Sequence, residues 1–132
     1  MPKNKKNDTA VSIQQLKDAI NIFVKEREWD QFHSPKNLSM AIAIEAAELM
    51  EEFRFMSCAE SVQKVAEDKE NKEKVAHELA DIVIATLSFC NLYDIDLSSS
   101  IEKKLAINAK KYPVQLSKGS NKKYHHYQKR TI

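Results

Sequence analysis

Apolar residues recur at helical spacing along most of the chain. Val11, Ile13, Leu16, Ile20, Phe23 and Val24 follow the three-and-four rhythm of a single helix face. They predict a first helix, capped by Asp8 or Thr9 and running to about Trp29. Asp30-Gln-Phe-His-Ser-Pro35 reads as a connecting loop. Ser34 followed by Pro35 marks a second start, because a serine hydroxyl accepts an orphan amide and proline suits a first turn. This second helix is expected to end near Arg54, with Phe55-Met-Ser-Cys-Ala59 as a break. The charged stretch from Glu60 to Lys74 is expected to hold a short helix and lead into a third long one. The Val75–Leu92 portion of that helix is apolar nearly all round, which places it at the centre. Asp96, or Ser99 paired with Glu102, caps a fourth helix that Pro113 terminates. The expected fold is all-α with four main helices over residues 8–113, between a basic disordered N-terminus, 1–7, and a basic C-terminal tail, 114–132.

Carboxylates interrupt this pattern twice at the same spacing. Glu45 and Glu48 on the second helix, and Glu78 and Asp81 on the third, are each i, i+3 pairs whose side chains leave one helix face about a turn apart. Glu45 and Glu48 share an arc with Ala41 and Glu52, flanked by Leu38, Ile42 and Leu49 on one side and Ile44 and Phe55 on the other. Glu78 and Asp81 share an arc with Ala85, flanked by Ile82 and Phe89 on one side and Ile84 on the other. Both pairs are therefore expected to point inward or into a cleft. Four carboxylates brought together repel one another and lose hydration unless they are protonated or neutralised by cations. A donor set of oxygen alone selects a hard divalent ion, Mg2+ with Mn2+ as the alternative. The competing interpretation is a solvated face on a charged helix, and the apolar flanks of both pairs weigh against it.

Composition agrees with one mostly helical domain: 132 residues, 42% hydrophobic, a single Gly and three Pro. Cys58 and Cys90 are read as reduced thiols of a cytoplasmic protein. Without an uninterrupted apolar run of ~18 residues, no membrane partner is expected. The opening Met-Pro-Lys-Asn-Lys-Lys lacks the apolar core of a signal peptide. The net charge of +2 conceals three Lys in residues 1–7 and four Lys with one Arg in 118–132, which leaves the body acidic. An acidic body with basic ends is not the basic face that nucleic acid requires.

Lys104, Asn108 and Lys111 form a stripe on the fourth helix, with Tyr112 at its edge. Leu97 and Ile101 on the same side are expected to face the body and bring that stripe toward the acidic site. Cation-filled carboxylates beside Lys and Asn donors suit a polyphosphate. Trp29 and Phe32 offer a flat apolar surface for a base, with His33 and Asn37 as hydrogen-bonding groups. The alternatives are a core anchor for Trp29, a local loop contact for His33 and the wet side of a helix for the Lys104 stripe. His77 is expected to hydrogen-bond Asp81, with a metal-ligand role as the alternative.

Taken in order, Trp29-Asp-Gln-Phe-His-Ser-Pro-Lys-Asn-Leu, Glu45-Ala-Ala-Glu48, Glu78-Leu-Ala-Asp81 and Lys104-x-x-x-Asn108-x-x-Lys111-Tyr-Pro113 resemble the MazG-related all-α nucleoside triphosphate pyrophosphohydrolases, especially their dCTP pyrophosphatase branch. The resemblance implies Mg2+-dependent hydrolysis of a (deoxy)nucleoside triphosphate, dCTP or a modified dCTP, to monophosphate and pyrophosphate. It implies Glu45, Glu48, Glu78 and Asp81 as metal ligands, Trp29 near the base, and Lys104, Asn108, Lys111 and Tyr112 around the phosphates. It also implies a helical bundle completed by a partner copy, as a homodimer or homotetramer. Glu48 is the candidate to orient or deprotonate the attacking water. Where the dCTP-hydrolysing branch commonly has Phe-Gln-Trp, this chain has Phe53-Arg-Phe55, so Phe55 takes the stacking position with a smaller face and no N–H. The extension from Lys118, with Tyr124-His-His-Tyr127, has no counterpart in the motif set and is expected to be mobile. An all-α dUTP-type hydrolase and a non-catalytic helical interaction module are the alternatives. A di-iron bundle is disfavoured because Glu-x-x-Glu and Glu-x-x-Asp stand where it needs Glu-x-x-His.

Overall fold

The computed structural model describes residues 6–128, and the chain divides between Ile95 and Asp96 into two compact units. Most of the basic N-terminus, 1–5, and the end of the tail, 129–132, lie outside the described residues. All regular elements among the described residues are helical, as the apolar periodicity predicts.

Helix α1 spans Ile13–Glu26 and is capped by Ser12, not by Asp8 or Thr9. Ser12 Oγ accepts from the Gln15 amide at 3.1 Å, and Gln15 Oε1 accepts from the Ser12 amide at 2.8 Å. Thr9 is already engaged, since both its amide and its hydroxyl donate to Asn7 Oδ1. Glu28 turns the chain with a left-handed φ of 52°. A 3-10 turn, Trp29–Phe32, then replaces the predicted loop. Helix α2, Pro35–Glu51, starts as expected, with Ser34 accepting from the Asn37 amide and Pro35 in the first turn.

Helices α3, Cys58–Glu67, and α4, Lys69–Leu92, both begin earlier than hydrophobicity alone predicts. The cause is capping: Ser57 forms a reciprocal box with Glu60, and Asp68 accepts from the Glu70 and Asn71 amides. Helix α4 is the centre of the first unit, with α1, α2 and α3 all packed on it and Leu87 fully buried. By length and composition it is also long and apolar enough to cross a membrane, its most apolar 18-residue window having a mean hydropathy of 1.4. His77, Glu78 and Asp81 break its apolar run.

The end of α4 is tied to α1. Ile95 N–H returns to the Cys90 carbonyl at 2.9 Å across the left-handed Asp94, which closes the helix in a Schellman-type turn. Lys17, only 6% exposed, donates from Nζ to the Ile95 carbonyl at 3.0 Å. Asn91 Nδ2 donates to the Lys17 carbonyl at 2.9 Å.

The second unit contains α5, Leu97–Lys111, with Asp96 as its cap, as the sequence predicts. Two short helices follow, α6, Val114–Ser117, and α7, His125–Gln128. Tyr112 meets the rings of Tyr124 and Tyr127 edge-on, and the Tyr127 hydroxyl donates to Ser120 Oγ at 3.1 Å.

Candidate functional site

Packing α2 on α4 brings the two carboxylate pairs together. Glu45, Glu78 and Asp81 each present a carboxylate oxygen, and these oxygens all lie within 4.8 Å of one another. Glu48, one turn beyond Glu45, is within hydrogen-bonding reach of both Glu45 and Glu78. Each pair divides into an inner and an outer member: Glu45 and Glu78 are half-buried, while Glu48 and Asp81 are exposed in the single chain.

The electrostatics follow from this crowding. Lost hydration, followed by the charges of Glu48 and Asp81, pushes the Glu45 carboxyl above its ordinary range. Glu78 is raised for the same reasons, first desolvation and then repulsion from Glu48, Asp81 and Glu52. Its Oε2 is buried and has no hydrogen-bond partner. An orphaned carboxylate oxygen among mutually repelling acids is short of positive charge, and an all-oxygen donor set provides what a hard divalent cation binds. The residues present therefore fit a metal.

Glu52, on the same arc of α2, behaves differently. Lys64 on α3 donates to Glu52 Oε2 at 2.7 Å and to the Glu52 carbonyl at 2.8 Å. That contact lowers the Glu52 carboxyl below its usual range. No motif marks Lys64 in the sequence, because a single basic residue on a short amphipathic helix looks like surface charge; its neighbour Val65 is the one sign that this side of α3 faces inward.

The remaining candidates fall in both units. Trp29 is 47% exposed and meets Phe23 edge-on, with ring centres 5.7 Å apart, so it is not a buried core anchor. His33 lines an open-sided cavity of about 350 Å3 between α1, the 3-10 turn and α4. Trp29, Asn37 and Phe55 are not among its lining residues. Asn37 instead pins the 3-10 turn, with Nδ2 donating to the Phe32 carbonyl at 2.8 Å. Phe55 is 85% exposed beneath the Arg54 guanidinium. In the second unit, Lys104 is exposed, the Asn108 carbonyl accepts from the Tyr112 amide, and Lys111 Nζ sits 5.0 Å from the centre of the Tyr124 ring. Asn21, Ser88 and Asn91 also line the cavity and were not singled out from sequence. They carry no motif, and only the crossing of α1 with α4 brings them together.

Comparison with known proteins gives concordant results. The profile of the MazG-like family matches residues 40–126 and so continues past Pro113. The chain is 37% identical over 102 residues to dCTP pyrophosphatase 1 of Rattus norvegicus, and 32% identical over 102 residues to dCTP pyrophosphatase 1 of Homo sapiens. Each alignment covers 77% of this chain and 59% of the relative, so the chain spans 59% of the length of these curated relatives. The crystal structure of a pyrophosphatase from Archaeoglobus fulgidus DSM 4304 superposes with a TM-score of 0.72 at 32% identity, over 83% of this chain and 99% of that one.

Proposed function

Because this chain belongs to the MazG-like family, we propose that it hydrolyses a (deoxy)nucleoside triphosphate, dCTP or a modified dCTP, to the monophosphate and pyrophosphate. The observation that carries this reading is the convergence of Glu45, Glu48, Glu78 and Asp81 around a buried, unpartnered Glu78 oxygen. Such a centre has little use in a purely structural bundle, where it would only destabilise.

In this reading, Glu45, Glu48, Glu78 and Asp81 hold Mg2+, or Mn2+ in its place. The ion supplies charge neutralisation and Lewis acidity for phosphoryl chemistry. Glu48, exposed yet in reach of the inner acids, orients or deprotonates the water that attacks the α-phosphorus. Trp29, His33, Asn37 and Phe55 frame the nucleoside, and Lys104, Asn108, Lys111 and Tyr112 hold the phosphates. The protein works as a cytoplasmic homodimer or homotetramer in nucleotide-pool control. Support for assembly comes from the apolar side chains left about half exposed on α2 and α4: Met40, Ile44, Leu79, Val83 and Ile84. The free thiols of Cys58 and Cys90 suit a reducing compartment.

The test is pyrophosphate release from dCTP, 5-substituted dCTP, dUTP, dTTP, dATP, dGTP and CTP, with Mg2+ and with EDTA. The expected result is Mg2+-dependent release that falls at least ~100-fold in Glu48→Gln. A folded protein that binds Mg2+ but cleaves none of these substrates overturns the reading in favour of an interaction module. A preference for dUTP selects the dUTP-type alternative.

A further inference from the structure

Resting on the hydrolase reading, we propose that Tyr124 is a positioning residue for phosphate binding: anchored by Tyr127, it returns to the end of α5 and holds Lys111 in place for the triphosphate.

The return is built into the local sequence. Pro113 stops α5, and Ser117 Oγ donates to the Pro113 carbonyl at 2.7 Å, which ties the short α6 to that stop. Gly119, at a φ of +72°, then turns the chain in the left-handed region, where a glycine carries no steric cost. Beyond it, Tyr124 and Tyr127 stand three residues apart at the start of α7, so their rings lie on one side. Both rings meet Tyr112 edge-on, with centres 6.4 and 6.1 Å away. Tyr127 is the anchor: it is only 6% exposed, and its hydroxyl donates to Ser120 just past the glycine turn.

What this does for a phosphate follows from Lys111. It is the last residue of α5, where a long side chain is otherwise free to wander, and its Nζ lies 5.0 Å from the centre of the Tyr124 ring. An aromatic face attracts an ammonium without neutralising it. Among the described residues no carboxylate pairs with Lys111, so its full charge and its N–H donors stay available to an anion. Ordering the side chain in advance removes an entropy cost that binding would otherwise carry. An aromatic cluster that only pinned the tail would need no cation over it and would bury all three rings. Here Tyr127 alone is buried, Tyr124 is half-buried, and Tyr112 keeps 38% of its surface open.

The experiment measures kcat and KM for dCTP with Mg2+ in the wild type, Tyr124→Phe, Tyr124→Leu, Tyr124→Gln, Lys111→Met and the double variant Tyr124→Leu with Lys111→Met. The two non-aromatic variants are expected to raise KM ~2- to 5-fold with kcat little changed, because the loss falls on binding. Tyr124→Phe keeps the aromatic face and is expected to keep the wild-type KM. Once Lys111 is Met, Tyr124→Leu is expected to add little, since the ammonium it acts through is gone. A Tyr124→Leu effect that persists in full without Lys111, or that lowers kcat alone, assigns Tyr124 a structural role and overturns the proposal, as does an unchanged KM. Absence of turnover in the wild type counts against the hydrolase reading instead. In that event, calorimetric binding of inorganic pyrophosphate with Mg2+ decides the contact: affinity ~2- to 5-fold weaker in Tyr124→Leu and kept in Tyr124→Phe upholds it, and equal or absent binding overturns it.

Discussion

Lys64 Nζ sits 2.7 Å from Glu52 Oε2 and 2.8 Å from the carbonyl of the same residue, at a side chain only 15% exposed. One lysine thus withdraws one carboxylate from the acidic face of α2 and leaves the repulsion among Glu45, Glu48, Glu78 and Asp81 for a cation to relieve. Lys64→Met releases Glu52, whose charge already acts on Glu78. The expected outcome is a lower melting temperature in EDTA and a larger rise on Mg2+ addition than in the wild type, both read by thermal denaturation.

Metal binding to the folded state alone raises stability by mass action, about 2.7 kcal/mol at a free concentration 100 times Kd. We expect a concentration-dependent rise in Tm with Mg2+. Asp81→Asn, which removes one of the three converging carboxylates, is expected to remove most of that rise while melting cooperatively in EDTA.

Glu78→Gln tests the orphaned oxygen directly. The neutral amide keeps the shape and removes the repulsion, so the variant is expected to melt higher than the wild type in EDTA and to lose its response to Mg2+. The pH dependence has a definite sign. Glu45 and Glu78 are raised on folding, so the folded protein binds their protons more tightly than the unfolded chain does. Their contribution is fully present below the ordinary carboxylate pKa of about 4 and is lost as pH rises through the raised values. Metal-free stability from these groups therefore falls with rising pH, and in Glu78→Gln that fall is smaller.

Lys17→Met removes a charged donor from the Ile95 carbonyl at a buried position. The expected cost is about 1–3 kcal/mol, seen as a lower urea midpoint with an unchanged slope.

Much of the fold was legible from local rules. Ser34 with Pro35, and Asp96, marked the starts of α2 and α5 because cap chemistry depends on a few adjacent residues. The same chemistry explains the misplaced boundaries. Ser12, Ser57 and Asp68 were the operative caps; Ser12 stands inside the apolar pattern, between Val11 and Ile13, whereas after Ser57 and Asp68 that pattern resumes only at Val62 and Val75. The acidic centre could be read from spacing, since i, i+3 pairs flanked by apolar residues must meet when their helices pack. The division of each pair into inner and outer members could not, because it depends on the angle at which α2 crosses α4. The Asn91–Lys17 and Lys64–Glu52 contacts were invisible for a related reason: each joins residues on different helices. Hydrophobic periodicity encodes no such pairing.

Helix α4 carries both Glu78 and Asp81 and the most deeply buried stretch of the first unit. Residues some six to nine positions apart on a helix lie ~9–14 Å apart along its axis, at or beyond the distance at which substitutions usually couple. Packing changes around Leu87 and Cys90 are therefore absorbed with little disturbance to the charge balance around Asp81, so the core of this helix is free to drift while its acids stay where they are.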